Sequence, residues 1–214
     1  MSGTSEGGVR RSYDAVAGPY ADNFLNELGH KPLDRALLAT LAHDVRERGR
    51  GPVGDLGAGP GHVAAHLAGL GVPAVALDLA PAMAVEARRR LGLSAAAGSL
   101  TALPLRDGAL GGATAFYCLI HLDDPALDRA AAELARVVAG GGPLLVAFHT
   151  GTEVRHLDEW WDREVDLDFR FLEPEAVAGR LERAGFTVEA TLQRRAYPEE
   201  VDTFRTYLLA RRHQ

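Results

Sequence analysis

Three glycines at every second position, Gly57, Gly59 and Gly61, follow the short apolar run Val53–Leu56, which itself carries an acidic residue, Asp55. Glycine has no Cβ and tolerates positive φ, so such a loop turns sharply and lets a ligand lie against bare backbone. The Ala/Leu-rich stretch beyond it, His62 to Leu70, predicts a helix whose first N–H groups face that ligand. A second acidic residue, Asp78, ends the next apolar run, where nucleotide-binding α/β folds place a carboxylate that accepts hydrogen bonds from ribose hydroxyls. Together these features predict a site for an adenosine-containing cofactor; the plainer use of Asp78 is to cap the helix before Pro81. For proton transfer near neutral pH the candidates are histidines. His121 leaves the expected fourth strand and His149 the expected fifth, both at the carboxyl edge where open α/β sheets bind ligands. The plainer use of His121 is packing or bonding to backbone.

Particular elements are needed to place these groups. Strands are expected at Pro52–Gly57, Ala74–Leu79, Ala113–Leu119 and Pro143–Phe148, with a weaker one near Ala95–Gly98, and helices at His62–Leu70, Pro81–Leu91 and Pro125–Val138. Short apolar runs separated by helical patterns predict a parallel sheet covered on both faces. Upstream, Tyr13, Val16, Tyr20, Phe24 and Leu28 recur at helical spacing, and Gly18-Pro19 is expected to break that pattern into two short helices. Pro32 opens another helical stretch, Leu33–Arg48, a favourable place for a residue without an N–H. Past Thr150 an acidic and aromatic stretch, Glu153–Phe171, precedes a helix at Pro174–Ala184 and an antiparallel hairpin formed by Phe186–Gln193 and Thr203–Ala210. His156, Asp158, Glu159, Trp160 and Trp161 fall on that stretch, expected as a loop or helix that lies over the substrate as a lid. Two adjacent tryptophans cannot both face one core from a helix, so one is expected to meet a pocket or a partner chain.

Composition narrows the classes. The 214 residues suit one domain with a sizeable core, at 47% hydrophobic and 24% charged. The net charge of −6 and the lack of a basic block leave no electrostatic footprint for nucleic acid. Lys31 is the only lysine, a bias read as codon usage. The single cysteine, Cys118, excludes an intrachain disulfide and a multi-cysteine metal site, and no metal is expected. Residues 1–10 are expected as a flexible tail without the apolar core of a signal peptide, and no apolar run approaches a membrane span of about 18 residues, so a soluble cytoplasmic protein is expected.

The loop is G-x-G-x-G rather than G-x-G-x-x-G, and with Asp55 just before it the segment Val53–Gly61 resembles the first motif of class I S-adenosylmethionine-dependent methyltransferases of the small-molecule, type 11-like kind. The resemblance continues through Ala76-Leu77-Asp78-Leu79 and Ala80-Pro81-Ala82-Met83, Gly98-Ser99-Leu100-Thr101-Ala102-Leu103-Pro104-Leu105, Ala115–Leu122, Leu134–Leu145 and Arg183-Ala184-Gly185-Phe186. It implies a Rossmann-like, doubly wound sheet of seven strands with the last antiparallel, under an N-terminal helical cap. The single domain, 11–214, would divide into the cap (11–50), cofactor core (51–150), lid (151–172) and C-terminal helix with hairpin (173–214). The implied cofactor is S-adenosylmethionine, leaving as S-adenosylhomocysteine. Asp55, Gly57, Ala58, Gly59 and Gly61 would line its methionine side, with a carboxylate holding the α-ammonium. Asp78 would take the ribose hydroxyls, Leu79 and Met83 would flank the adenine, and Gly98, Ser99 and Leu100 would meet the adenine edge. Ser99 stands where the family commonly has aspartate, so that contact lacks a charge. Backbone at Tyr117–Leu119 would lie under the sulfonium. Tyr13 and Tyr20 would either fold over the cofactor or staple helices to the core. Lys31 would either reach the cofactor carboxylate or stand exposed on the cap.

The implied reaction is methyl transfer to an O, N or C nucleophile of a small metabolite, with His121 and then His149 as candidate bases and Tyr20, His156, Trp160 and Trp161 near the acceptor. The implied protein is a monomer or homodimer acting on neither nucleic acid nor membrane. An NAD(P)-dependent oxidoreductase would use a similar loop, but a Tyr-x-x-x-Lys pair is absent. A non-catalytic binder or interaction protein on the same fold is the other alternative.

Overall fold

The computed structural model describes residues 4–214. Five parallel strands form the centre: β1 (Val53–Leu56), β2 (Ala74–Asp78), β3 (Ser94–Ala97), β4 (Gly112–Phe116) and β5 (Pro143–His149). Two more strands, β8 (Phe186–Arg194) and β9 (Arg205–Arg212), complete the sheet in the order β3-β2-β1-β4-β5-β9-β8. β9 runs antiparallel to both β5 and β8, so it alone opposes the other six strands. The order reverses between β1 and β4, and that is where a crevice opens at the carboxyl ends of the strands. β1 and β5 are buried throughout or nearly so, as expected of strands covered on both faces.

The helices are α1 (Glu6–Phe24), α2 (Pro32–Arg48), α3 (His62–Gly69), α4 (Pro81–Leu91), α5 (Asp124–Val137) and α6 (Pro174–Arg183). Pro stands in the first turn of α2, α4, α5 and α6, where its missing N–H leaves no gap in the ladder.

Three expectations for the chain's organisation are corrected. The tail expected at 1–10 is helical from Glu6, capped by Ser5, whose side chain accepts from the Gly8 N–H; residues 1–3 lie outside the described residues. Helix α1 is also not broken at Gly18-Pro19. The carbonyl deprived of its donor by Pro19 belongs to Ala15, an exposed residue that water can serve, while buried Val16, Ala17 and Ala21 anchor the helix on both sides. The stretch expected as a lid loop or helix is instead a two-stranded hairpin, β6 (Val154–Trp160) and β7 (Arg163–Arg170). Its two turn residues, Trp161 and Asp162, have φ of 51° and 57°, the left-handed pair that tightly connects twisted strands.

This hairpin lies on α1. Val165 and Leu167 pack with Val9 and Val16, and Trp160 and Trp161 stack at 4.6 Å and meet Tyr20 and Phe24 edge-on. Cap and hairpin therefore form one roof over the carboxyl edge of the sheet.

Candidate active site

A cavity of about 270 Å³ lies between that roof and the ends of β1, β2 and β4. Its floor is the glycine loop. Gly57 has φ of 74°, and a Cβ there would stand 2.3 Å from Cys118 Cβ, so the loop can pass under the end of β4 only as glycine. Gly59, with φ of 55°, faces the cavity toward Tyr20, whose ring would lie 3.6 Å from an added Cβ. Gly61 is off the cavity wall. It caps α3 and packs its bare Cα against Leu93 and Ala87.

Asp78 stands at the edge of this floor. One oxygen accepts from the Gly59 N–H at 2.7 Å and the other from the Ala80 N–H at 2.8 Å, so the carboxylate fixes the loop and starts α4 at once. Burial pushes its pKa up to about 6 even though both N–H groups favour the charged form. Each carboxylate oxygen retains a lone pair, and the residue lines the cavity. The capping use and the ligand-facing use therefore coexist.

Asp55, only 1% exposed, also touches the cavity, and its oxygens accept from the Ala64 N–H at 3.0 Å and the Thr114 hydroxyl at 3.0 Å. It joins β1, β4 and the first turn of α3, and burial raises its pKa. Leu79, Met83, Gly98, Ser99 and Leu100 form the wall expected for an adenine, and Ala58 lines the floor. The Ser99 hydroxyl is held by Thr101, accepting from its N–H at 3.1 Å and sharing a hydrogen with its hydroxyl at 2.8 Å. Leu119 is in the hydrophobic core, off the wall.

Tyr13 and Tyr20 both line the cavity from α1 and meet edge-on at 5.8 Å, so they serve the roof packing and the cavity together. Tyr13 also reaches His121. The His121 Nδ1 lies 2.9 Å from the Asp168 carbonyl, which can only accept, so Nδ1 carries the hydrogen. Nε2 is then an acceptor, and the Tyr13 hydroxyl donates to it at 2.8 Å. Burial lowers the His121 pKa to about 4, opposed by the Asp168 carbonyl and carboxylate, and burial pushes the Tyr13 phenol well above its usual range. The pair rests neutral, with α1, the end of β4 and the hairpin meeting in one hydrogen-bonded chain.

Tyr117 lines the cavity with φ of 53°, a strained conformation for a bulky residue, held by its N–H on the Ala147 carbonyl at 2.7 Å. Strain of this kind persists where surrounding structure over-determines it.

Five further expected site residues are placed elsewhere. His149 stands behind Tyr117, stacked on Phe171 at 5.4 Å with Nδ1 2.8 Å from the Thr203 hydroxyl, and does not reach the cavity. His156 is on the exposed side of the hairpin, paired with Asp168 at 3.0 Å. Trp160 and Trp161 hold roof to roof, facing α1 rather than the cavity. Lys31 is neither exposed nor on the wall; it pairs with Glu27 at 2.6 Å and Glu200 at 3.4 Å. In exchange the structure brings in side chains that were not singled out: Glu27 and His62 beside the glycine loop, and Asp168 and Arg170 from the hairpin. No local pattern identifies Glu27, Asp168 or Arg170, because each belongs to the cavity only through contacts distant in sequence.

Among the described residues, no helix is long and apolar enough to cross a membrane. Residues 53–142 match the family model described as a methyltransferase domain. The chain is 29% identical to the ubiquinone/menaquinone biosynthesis C-methyltransferase UbiE of Methylobacterium nodulans, over 85% of this chain and 83% of the relative. Among solved structures it resembles DhpI in complex with SAH, at a TM-score of 0.72 and 23% identity, covering 100% of this chain and 99% of the other. It also resembles the glycopeptide N-methyltransferase MtfA in complex with S-adenosylmethionine, at a TM-score of 0.61 and 19% identity, covering 81% and 94%. Both structural likenesses concern the fold: a seven-stranded sheet with its last strand antiparallel.

Proposed function

We propose that the chain is a class I S-adenosylmethionine-dependent methyltransferase whose cavity holds the cofactor and a small acceptor, an O, N or C nucleophile of which receives the methyl group. The observation that carries this is the Asp78 carboxylate, pinned by Gly59 and Ala80 and still lining the cavity between the glycine floor and the Leu79–Met83 wall. When bound, S-adenosylmethionine supplies a methyl carbon activated by its sulfonium, so the protein contributes alignment, exclusion of water and transfer of a proton.

The residues present fit that cofactor. Asp78 would accept from the ribose hydroxyls, the bare Gly57–Gly59 backbone would admit the chain leading to the sulfur, and the apolar wall would receive the adenine. The α1–hairpin roof keeps water from the reacting groups. His121 is a base only through Tyr13: an acceptor proton reaching the Tyr13 oxygen moves with transfer of the phenolic proton to Nε2, leaving an imidazolium that the Asp168 carbonyl orients. Carbon is the nucleophile best supported, because the relative named for C-methylation matches along most of both chains.

Calorimetry with S-adenosylhomocysteine and with NADH tests the cofactor reading, with binding of the former expected; binding of NADH alone would refute it. Mass-shift screening of a metabolite extract for the gain of one methyl then identifies the acceptor.

A further inference from the structure

Beside the glycine floor the cavity has a polar end that no expected residue serves. Asp55 is 1% exposed and burial favours its protonated form, and Lys31 is engaged by Glu27 and Glu200. What faces the cavity there is Glu27, from the short turn Glu27–His30 between α1 and α2, and His62, the first residue of α3. The two are joined: His62 Nε2 lies 2.8 Å from Glu27 Oε1, and Lys31 Nζ lies 2.6 Å from Oε2. Burial would raise the Glu27 pKa, but the hydrogen bonds and charges of His62 and Lys31 bring it down to about 2, so its carboxylate is charged at any working pH. The other imidazole nitrogen, Nδ1, is buried with no hydrogen-bond partner. An orphaned polar atom of this kind is unfavourable until a ligand's polar group or an ordered water meets it.

From this geometry we propose that Glu27 is the receptor for the α-ammonium of the cofactor's amino-acid end, with His62 as the positioning residue that fixes its carboxylate. The proposal rests on the cofactor reading above and deepens it. An ammonium brings three N–H donors, and a charged carboxylate whose oxygens each keep a free lone pair is its natural acceptor. His62 donating through Nε2 and Lys31 bonding the opposite oxygen leave Glu27 no freedom to turn away, so the acceptor is set before the ligand arrives. Lys31 thus acts on the site through Glu27 rather than by reaching the cofactor.

A pair of ligands isolates this end of the site. S-adenosylhomocysteine carries the amino-acid group, whereas 5′-methylthioadenosine keeps the adenosine and sulfur but lacks it. Calorimetry on the full chain is expected to show Glu27→Gln weakening S-adenosylhomocysteine by about 10- to 100-fold, the range for a hydrogen bond between charged groups, with 5′-methylthioadenosine unchanged. His62→Gln is expected to give a smaller loss with the same ligand selectivity, and Glu27→Asp a partial recovery. Unchanged affinity for S-adenosylhomocysteine in Glu27→Gln would overturn the proposal. Equal weakening of both ligands would also overturn it, because Glu27 would then act only by holding the cap. If the unsubstituted protein binds neither ligand, the cofactor reading itself fails, a result distinct from either of these.

Discussion

Acidification through pH 6 should release the cofactor, because the carboxylate proposed to bind the ribose is held in a setting that favours its proton. Asp78 ionises at about 6, raised by burial against the opposing pull of the Ala80 and Gly59 N–H groups. Ribose hydroxyls donate to the charged form, so the competent protein is the fraction with Asp78 ionised. With a pKa of about 6 that fraction is about one half at pH 6 and about one tenth at pH 5, and the apparent dissociation constant rises in inverse proportion. The expected change is therefore about tenfold between pH 8 and pH 5, with most of it below pH 6.5. His121 and His149, both at about 4, and Glu27, at about 2, titrate below this window, and the Asp78→Asn variant separates the Asp78 contribution from that of any other group. Stability of the ligand-free protein has the opposite dependence. A folded pKa raised above the unfolded value gives a contribution that is complete below about pH 4 and is lost as pH rises through 6. The assay is calorimetric titration of S-adenosylhomocysteine from pH 5 to pH 8, repeated on Asp78→Asn. That variant should bind more weakly by about 1–3 kcal/mol at pH 8, with a flat profile. A flat profile in the unsubstituted protein, or the same slope retained in Asp78→Asn, would refute the assignment.

Two further predictions concern the proton path and the loop. Tyr13→Phe and His121→Ala should each reduce turnover of an identified acceptor by about 10²-fold or more while leaving S-adenosylhomocysteine affinity nearly intact, and the double variant should be little worse than either, since both interrupt one chain. Full turnover in Tyr13→Phe would remove the phenol from the path. Gly57→Ala should destabilise the fold by about 2 kcal/mol or more, read from chemical denaturation, because the added methyl meets Cys118 Cβ at 2.3 Å in a backbone with φ of 74°; a stability equal to the parent's would show that the loop can move aside.

The elements that could be read from the sequence are those whose shape is set locally. Helix α4 begins and ends where Pro81 and Leu91 predict, and the core strands fall within a few residues of their apolar runs. The break that Pro19 signals locally does not form in α1, because buried contacts on both sides of it decide the outcome. The 153–171 stretch gave no clear period, since its two strands are mostly exposed on one side and take their order from stacking on α1. For the site, Asp78 and the glycines were legible because one short loop sets their geometry. His149 and His156 were not separable from His121 by sequence: all three follow or lie in strands, and only packing shows that Tyr117 stands before the first and that the second faces outward.

What the sequence determined by itself is the floor of the site. Glycine at 57 and 59 and an acidic end to β2 impose a turn and a carboxylate through local φ/ψ and spacing alone, and with the later motifs they carry the resemblance to class I methyltransferases. What the tertiary structure decided is which polar groups remain free to act. Thr114 satisfies Asp55, Glu200 shares Lys31, and the Asp168 carbonyl sets the tautomer of His121, each from a distant part of the chain. Residue type and spacing specify which hydrogen bonds a side chain can make; only the fold specifies which of them are already made.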